Sequence, residues 1–197
     1  SCTLKWQGSS SIAFDKKNYT IEFDTAFEAK SGWGAQRKYC LKANWVDASN
    51  MRNLFGAALW GSMLKCRANP DARLAALPNG GAVDGFPIWL VINGDSQGLY
   101  TFNIPKEAWM FGMTGSNAGE GFVCAEAFDF TAQAQFDGYD MKVEYSAAAD
   151  ASALKASFNN LVSACNQFIG EESKAAFEAL VDIESVIDYC IFAVAAS

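Results

Sequence analysis

Two lysines behind a run of small hydroxyl residues are the first feature of this chain that could do chemistry. In KWQGSSSIAFDKKNYTIEF, Lys5 to Phe23, Gly8 leads into Ser9, Ser10 and Ser11, and Lys16 and Lys17 precede an alternating run. Backbone N–H groups in a small-residue turn can cradle an anion, and a lysine on the next strand can neutralise it. Gly-Ser-Ser-Ser is also ordinary hairpin chemistry. The alternation puts Tyr19, Ile21 and Phe23 on one face and Thr20 and Glu22 on the other. The same parity carries Lys17 onto the apolar face, where an ammonium wants a partner anion.

The totals narrow the classes of function. The chain has 197 residues, 51% of them apolar and 19% charged, which describes a globular chain with enough length for a real core. A net charge of −7 argues against a nucleic-acid surface, while a small nucleotide needs only one local cationic patch. The absence of histidine removes Ser-His-Asp and Cys-His catalysis and disfavours the usual zinc sites. Six cysteines, at 2, 40, 66, 124, 165 and 190, never fall in C-x-x-C spacing and mostly have apolar neighbours. Buried free thiols are expected rather than a disulfide framework. No apolar run reaches the length of a membrane span, and residues 1–20 carry no signal-peptide pattern. The first residues already read as strand, as if the chain began inside a domain.

The elements that must position such a site are strands in front and helices behind. Asn18–Phe23, Arg37–Asn44, Phe86–Asn93, Gly121–Phe128 and Tyr139–Tyr145 read as strands, and Asn93-Gly94 before GLYTFNI is a hairpin signal. One helix interrupts them, with Asp47 or Ser49 as cap and Met51, Leu54, Phe55, Ala58, Leu59 and Met63 at helical spacing. Pro70 to Gly85 reads as a loop-like insert. After residue 146 three helices follow, capped by Asp150, starting near Glu171 and starting after Asp182. The expected division is a sheet-rich part, 1–146, and a helical part, 147–197. The fold class is α+β: an antiparallel sheet with one embedded helix, then a helical portion, the outline of a protein-kinase-like fold.

Four segments then show that the chain resembles the spore coat protein H (CotH) kinase family of atypical, secreted or surface-associated protein kinases. KWQGSSSIAFDKKNYTIEF is similar to the family's glycine-serine turn and K-K-x-[YF]-x-[IL]-x-F strand. YCLKANWVDASNMRN resembles its L-x-A-N-[YW]-x-D-x-[ST]-x-x-R-N signature, and FPIWLVINGDSQGLYTFNIP its V-x-[IF]-N-G-x-x-x-G-[LIV]-Y hairpin. DIESVIDYCIF resembles its [SL]-I-D-Y-x-[IL]-[FY] helix. GLYTFNIPKEAWMFGM and GFVCAE look closest to a subgroup from large surface or phage-tail-type proteins.

The resemblance implies ATP and Mg²⁺ as cofactors and places residues in roles. Gly8, Ser9, Ser10 and Ser11 would cover the nucleotide phosphates, though the pattern is not G-x-G-x-x-G. Lys17 would pair with the phosphates or with an acidic partner. Glu126, in the apolar row Phe122, Cys124, Phe128, is the first choice for that partner, and Glu144, two residues after Lys142, the second. Either glutamate could instead face water. Arg52, beside Asn44, Asp47 and Asn53 in the signature, would add positive charge at a helix start, or would tie the loop to the sheet. There are departures. Asp15 replaces the usual proline, Asn103 stands where many members carry a nearby glutamate, and Lys142-Val143-Glu144-Tyr145 exchanges the charges of E-x-K-Y. In the family the catalytic-base and metal-binding aspartates follow the I-D-Y helix. This chain ends at Ser197 within it, so it reads as a fragment cut before them, and Asp129, Asp137 and Asp140 are expected to face solvent.

Three functions compete. The first is an atypical kinase transferring the γ-phosphoryl group of ATP to hydroxyls of a surface or coat protein. The second is a non-catalytic kinase-like module of a phage-tail, coat or cell-surface assembly, partnered at a surface. The third, a carbohydrate-active domain using Trp6, Trp33 and Trp109 as sugar platforms with a carboxylate pair, lacks a conspicuous acid pair.

Overall fold

The alternation from Asn18 continues to Phe27 and forms the second strand of a five-stranded antiparallel sheet. The computed structural model describes residues 1–68, 72–125, 136, 141–170 and 173–195. They fall into two compact units, Ser1–Gly112 and Met113–Ser197.

In the first unit, β1 (Cys2–Gln7), β2 (Asn18–Phe27), β3 (Gln36–Lys42), β4 (Gly85–Ile92) and β5 (Asp95–Asn103) stand in the order β1-β2-β3-β5-β4. The β4–β5 hairpin turns at Asn93 and Gly94, with φ of 51° and 93°. Both angles are those of a primed turn, which only such a dipeptide enters cheaply. Because side chains alternate, the register sorts them into two faces. The row Trp6, Tyr19, Leu41, Phe102, Phe86 belongs to one face and the row Lys5, Thr20, Cys40, Asn103, Gly85 to the other.

The aromatic face is the core. Tyr39, Leu41, Tyr100 and Phe102 are buried there together with Ile21, and Trp33 and Met110 cover them. Trp33 stacks on Phe102 with ring planes 14° apart. The phenol of Tyr39 donates to the Phe27 carbonyl at 2.7 Å and that of Tyr100 to the Lys17 carbonyl at 3.0 Å, so neither buried hydroxyl lacks a partner. Asp84 closes the edge of this core. Its carboxylate accepts the Trp33 indole N–H at 2.8 Å and the Lys30 ammonium at 2.7 and 2.8 Å.

Helix α1 (Arg52–Lys65) has Met51, not Asp47 or Ser49, at its N-cap position, and the two expected caps act from the loop just before it. Asp47 accepts the Arg52 N–H at 2.9 Å, and the Ser49 hydroxyl accepts the Met51 N–H at 3.3 Å. Its packed face differs from the one that the spacing of large apolar residues selects. Gly61 and Leu64 are buried, whereas Met51 and Phe55 are exposed. The reason is close approach: a Cβ at Gly61 would lie 2.7 Å from the carbonyl oxygen of Asn79. Asn79 belongs to a tight turn, Pro78–Gly81, so the expected loop-like insert contains this turn and the short helix α2 (Ala72–Ala75).

The second unit pairs β6 (Gly121–Ala125) with β7 (Met141–Ser146) and adds helices α3 (Ser152–Ile169), α4 (Lys174–Glu178) and α5 (Ile183–Ala195). Asp150 accepts the Ser152 N–H at 2.9 Å, Ser173 caps α4 and Asp182 accepts the Ser185 N–H at 3.2 Å. Leu154, Phe158, Leu161, Val162 and Cys165 of α3 are buried or half-buried. All six cysteines are free. The expectation that they are buried holds for Cys40 and Cys165 but not for Cys2, Cys66 and Cys190, which are exposed. No helix among the described residues is long and apolar enough to cross a membrane.

Candidate functional site

The polar face of the first unit's sheet borders a cavity of about 550 Å³. Lys16, Lys42 and Lys106 supply its cations, and Phe14 and Trp45 its aromatic surface. Val46, Ala57, Val83 and Ile104 add apolar wall, while Gln7, Asn18, Asn44, Asn53 and Asn103 supply carboxamides. Among the described residues no carboxylate lines it.

Each side chain arrives there through its element. Lys42 is the last residue of β3, opposite Thr101 of β5. Burial pushes its ammonium below the usual lysine range, against a raising influence from Cys40, and Lys106 lowers it further. Burial likewise pushes the Cys40 thiol up. Lys16 donates to the Leu99 carbonyl, lies 4.4 Å from the Tyr100 ring centre and is pushed down by burial. The loop after β3 is held by carboxamides. Asn44, at φ 47°, donates to Asn50 and to the Thr101 hydroxyl, and accepts from Asn53 at 2.9 Å. Asn50 donates to the Leu99 carbonyl at 2.9 Å. This network ties the Asn44–Asn50 loop to β5.

Two acceptors are left over. Gln7 donates through Nε2 to the Cys40 sulfur at 3.5 Å, and its Oε1 is buried with no partner. Asn103 is 4% exposed and its Oδ1 is equally unpartnered. A buried carbonyl without a donor is costly, so each oxygen is open to a donor from water or from a ligand.

The residues singled out from the sequence are distributed unevenly. Gly8 takes φ 122°, and a Cβ there would lie 1.9 Å from the Ser11 hydroxyl, so the turn requires glycine. Ser10–Ala13 is a 3-10 turn. Ser11 lines the cavity and accepts from Asn18 at 3.4 Å, while Ser9 and Ser10 are exposed. Lys17 lies beside Trp6, as the parity implies, 5.7 Å from its ring centre. Its ammonium donates to the carbonyls of Ile12, at 2.9 Å, and Phe14. It therefore ties off the turn, and its neighbour Lys16 is the one lining the cavity. Arg52 is exposed, with Nε 3.6 Å from Asp47, and the next residue, Asn53, lines the cavity. Glu126, Asp129, Asp137 and Asp140 lie outside the described residues. Glu144 is exposed on β7 in the second unit, beside Lys142 and Lys155 in a groove of its own.

Sequence reading missed Lys42, Gln7 and the use of Asn103. The signal for Lys42 was present in RKYCLK: with Tyr39 and Leu41 in the core, Cys40 and Lys42 must share the opposite face. Nothing in the sequence signalled that this face would be covered.

A mixed α and β chain with a cation-lined cavity of nucleotide size is thus defined by its fold and site. This chain belongs to the CotH kinase family, whose model, described as CotH kinase protein, matches residues 4–197. No curated protein and no solved structure matches it.

Proposed function

We propose that the first unit is the nucleotide-binding part of an atypical kinase that moves the γ-phosphoryl group of ATP to a hydroxyl of a surface or coat protein. One observation carries the reading. Lys42 is a half-buried ammonium, its pKa lowered by burial, in a roughly 550 Å³ cavity whose described lining has three lysines and no carboxylate. Such a group is stabilised by an anionic ligand, and a triphosphate supplies the charge. Phe14 and Trp45 offer aromatic surface for a base. The Gly8–Ala13 turn, tied off by Lys17, supplies Ser11 to the wall, and Arg52 remains a candidate for charge at the α1 start. The transfer forms a bond from the acceptor oxygen to the γ-phosphorus, breaks the bond to the β–γ bridging oxygen and releases ADP and a proton.

The fit to Mg²⁺ is different. Among the described residues no group of three His, Cys, Asp or Glu could hold a metal, and the cavity lining offers the ion no carboxylate. No step is therefore routed through the ion. Glu126 and Glu144 remain proposals as acidic partners.

A second reading, a kinase-like module of a surface assembly, is favoured by exposed Trp89 and Leu99, which face each other across β4 and β5. Such a pair suits a protein partner.

The test is calorimetric titration of Mg-ATP into the wild-type chain and Lys42→Met. A loss of at least about tenfold in affinity is expected, about the 1.4 kcal/mol scale of one charge-assisted contact. Equal affinity for the two proteins would sink the reading. Binding without phosphoryl transfer by the intact protein to any hydroxyl acceptor would favour the module.

A further inference from the structure

The two unpartnered carboxamide oxygens are the part of the cavity that the kinase reading leaves unused. They sit at one place in the fold. Asn103 is opposite Cys40 across β3 and β5, and Cys40 is the sulfur that holds the Gln7 Nε2. With its donor so fixed, Gln7 presents Oε1 as a bare acceptor, and Asn103 presents Oδ1.

Strand β5 gives the cavity a direction. Lys16 is anchored at Leu99, and Lys42 stands opposite Thr101. Asn103 follows, and Ile104 begins the apolar wall. Ile104 is joined to the residue just before β4 by its N–H bond to the Asp84 carbonyl at 3.0 Å. Asn79 pins Val83 and Ala57 together by donating to both carbonyls at 2.9 Å. The anchors of Lys16 and Lys42, Leu99 and Thr101, lie four and two residues before Asn103 on the strand, at about 3.3 Å per residue. Lys106 lies beyond Pro105 and is exposed. The acceptors thus stand where a chain of phosphates held at Lys16 and Lys42 gives way to an apolar slot for a ring.

The geometry points to Asn103 and Gln7 as the residues that select the nucleobase, by accepting the two N–H bonds of an exocyclic amine such as the 6-amino group of adenine. A cation is the poorer occupant, because three lysines surround the site. A bare ring edge is poorer too, since it leaves both oxygens unsatisfied. This assignment rests on the nucleotide reading above.

The experiment compares ATP, purine riboside triphosphate (the same molecule without the 6-amino group) and inorganic tripolyphosphate, each with Mg²⁺, by calorimetry on the wild-type chain and on Asn103→Ala. Expected is ATP binding at least about fivefold tighter than purine riboside triphosphate in wild type, with the two within about twofold in the variant. Equal binding of both triphosphates by wild type overturns the base assignment and leaves the nucleotide reading standing. Discrimination that survives in Asn103→Ala overturns the role of Asn103. Tripolyphosphate binding as tightly as ATP removes the base from recognition altogether. If neither triphosphate binds, the nucleotide reading itself fails and this inference with it. The wild-type comparison needs no variant, so a poorly folding Asn103→Ala leaves the test intact.

Discussion

Lys42 and Asn103 occupy the same face of neighbouring strands, in register rows two residues apart: Lys42 is opposite Thr101, and Asn103 is opposite Cys40. At that diagonal a lysine and a carboxamide are within reach of one ligand. One brings a half-buried positive charge and the other an unpartnered acceptor.

The charge gives a pH dependence with a definite sign. Burial lowers the Lys42 pKa, so between its folded value and the unfolded value near 10.4 the unfolded chain binds more protons. The cost of burying the ammonium is present below the folded pKa, and stability rises as pH passes through it. Anion binding runs the other way: Mg-ATP affinity falls as Lys42 deprotonates. Titrations at rising alkaline pH should show this fall in wild type and a shallower one in Lys42→Met.

Gly8→Ala should damage the turn. The position has φ 122°, and the new Cβ would meet the Ser11 hydroxyl at 1.9 Å. A loss of about 1–3 kcal/mol in urea unfolding is expected, with weaker Mg-ATP binding because Ser11 and Phe14 line the cavity. Unchanged stability and affinity would show that the turn rearranges freely.

Asp84→Ala should be among the more damaging single changes in the first unit. It leaves the buried Trp33 indole N–H without its 2.8 Å acceptor and releases Lys30. The expected cost is about 2–3 kcal/mol by chemical denaturation. A change below about 0.5 kcal/mol would mean that water or a neighbour replaces the carboxylate.

Asp47 links the signature loop to α1, and its contribution should vanish in acid. Hydrogen bonds from the Ser49 hydroxyl and the Arg52 N–H hold its pKa below the usual carboxylate value. Its stabilisation is therefore present above about pH 4 and lost as pH falls through the depressed folded value. Wild type should unfold at higher urea than Asp47→Ala at neutral pH, and the gap should close as the pH is lowered past that point. A gap independent of pH would assign the effect to packing.

Local chemistry was legible in the sequence and long-range covering was not. Asn93-Gly94 named its own turn because few dipeptides enter positive φ twice. Asp47, Ser49 and Asp150 marked where helices start, since their acceptors act within a few residues, although the N-cap positions themselves fall to Met51 and Ala151. The parity of Lys17 was also readable, but not its partners. An ammonium on an apolar edge needs oxygen, and the carbonyls of Ile12 and Phe14 supply it locally. The packed face of α1 was hidden because glycine carries no hydrophobic signal, yet Gly61 is where the helix approaches Asn79. Lys42 was hidden because the cavity it lines also draws on Gln7 of β1 and Val83, Asn103 and Lys106, residues far from it in sequence.

The most direct measurement is hydrogen exchange of the intact chain with and without Mg-ATP. The account predicts slowed exchange in segments 7–18, 42–46 and 99–106, which carry Ser11, Lys42 and Asn103. No change in those segments at saturating Mg-ATP, or protection confined to Met113–Ser197, would contradict it.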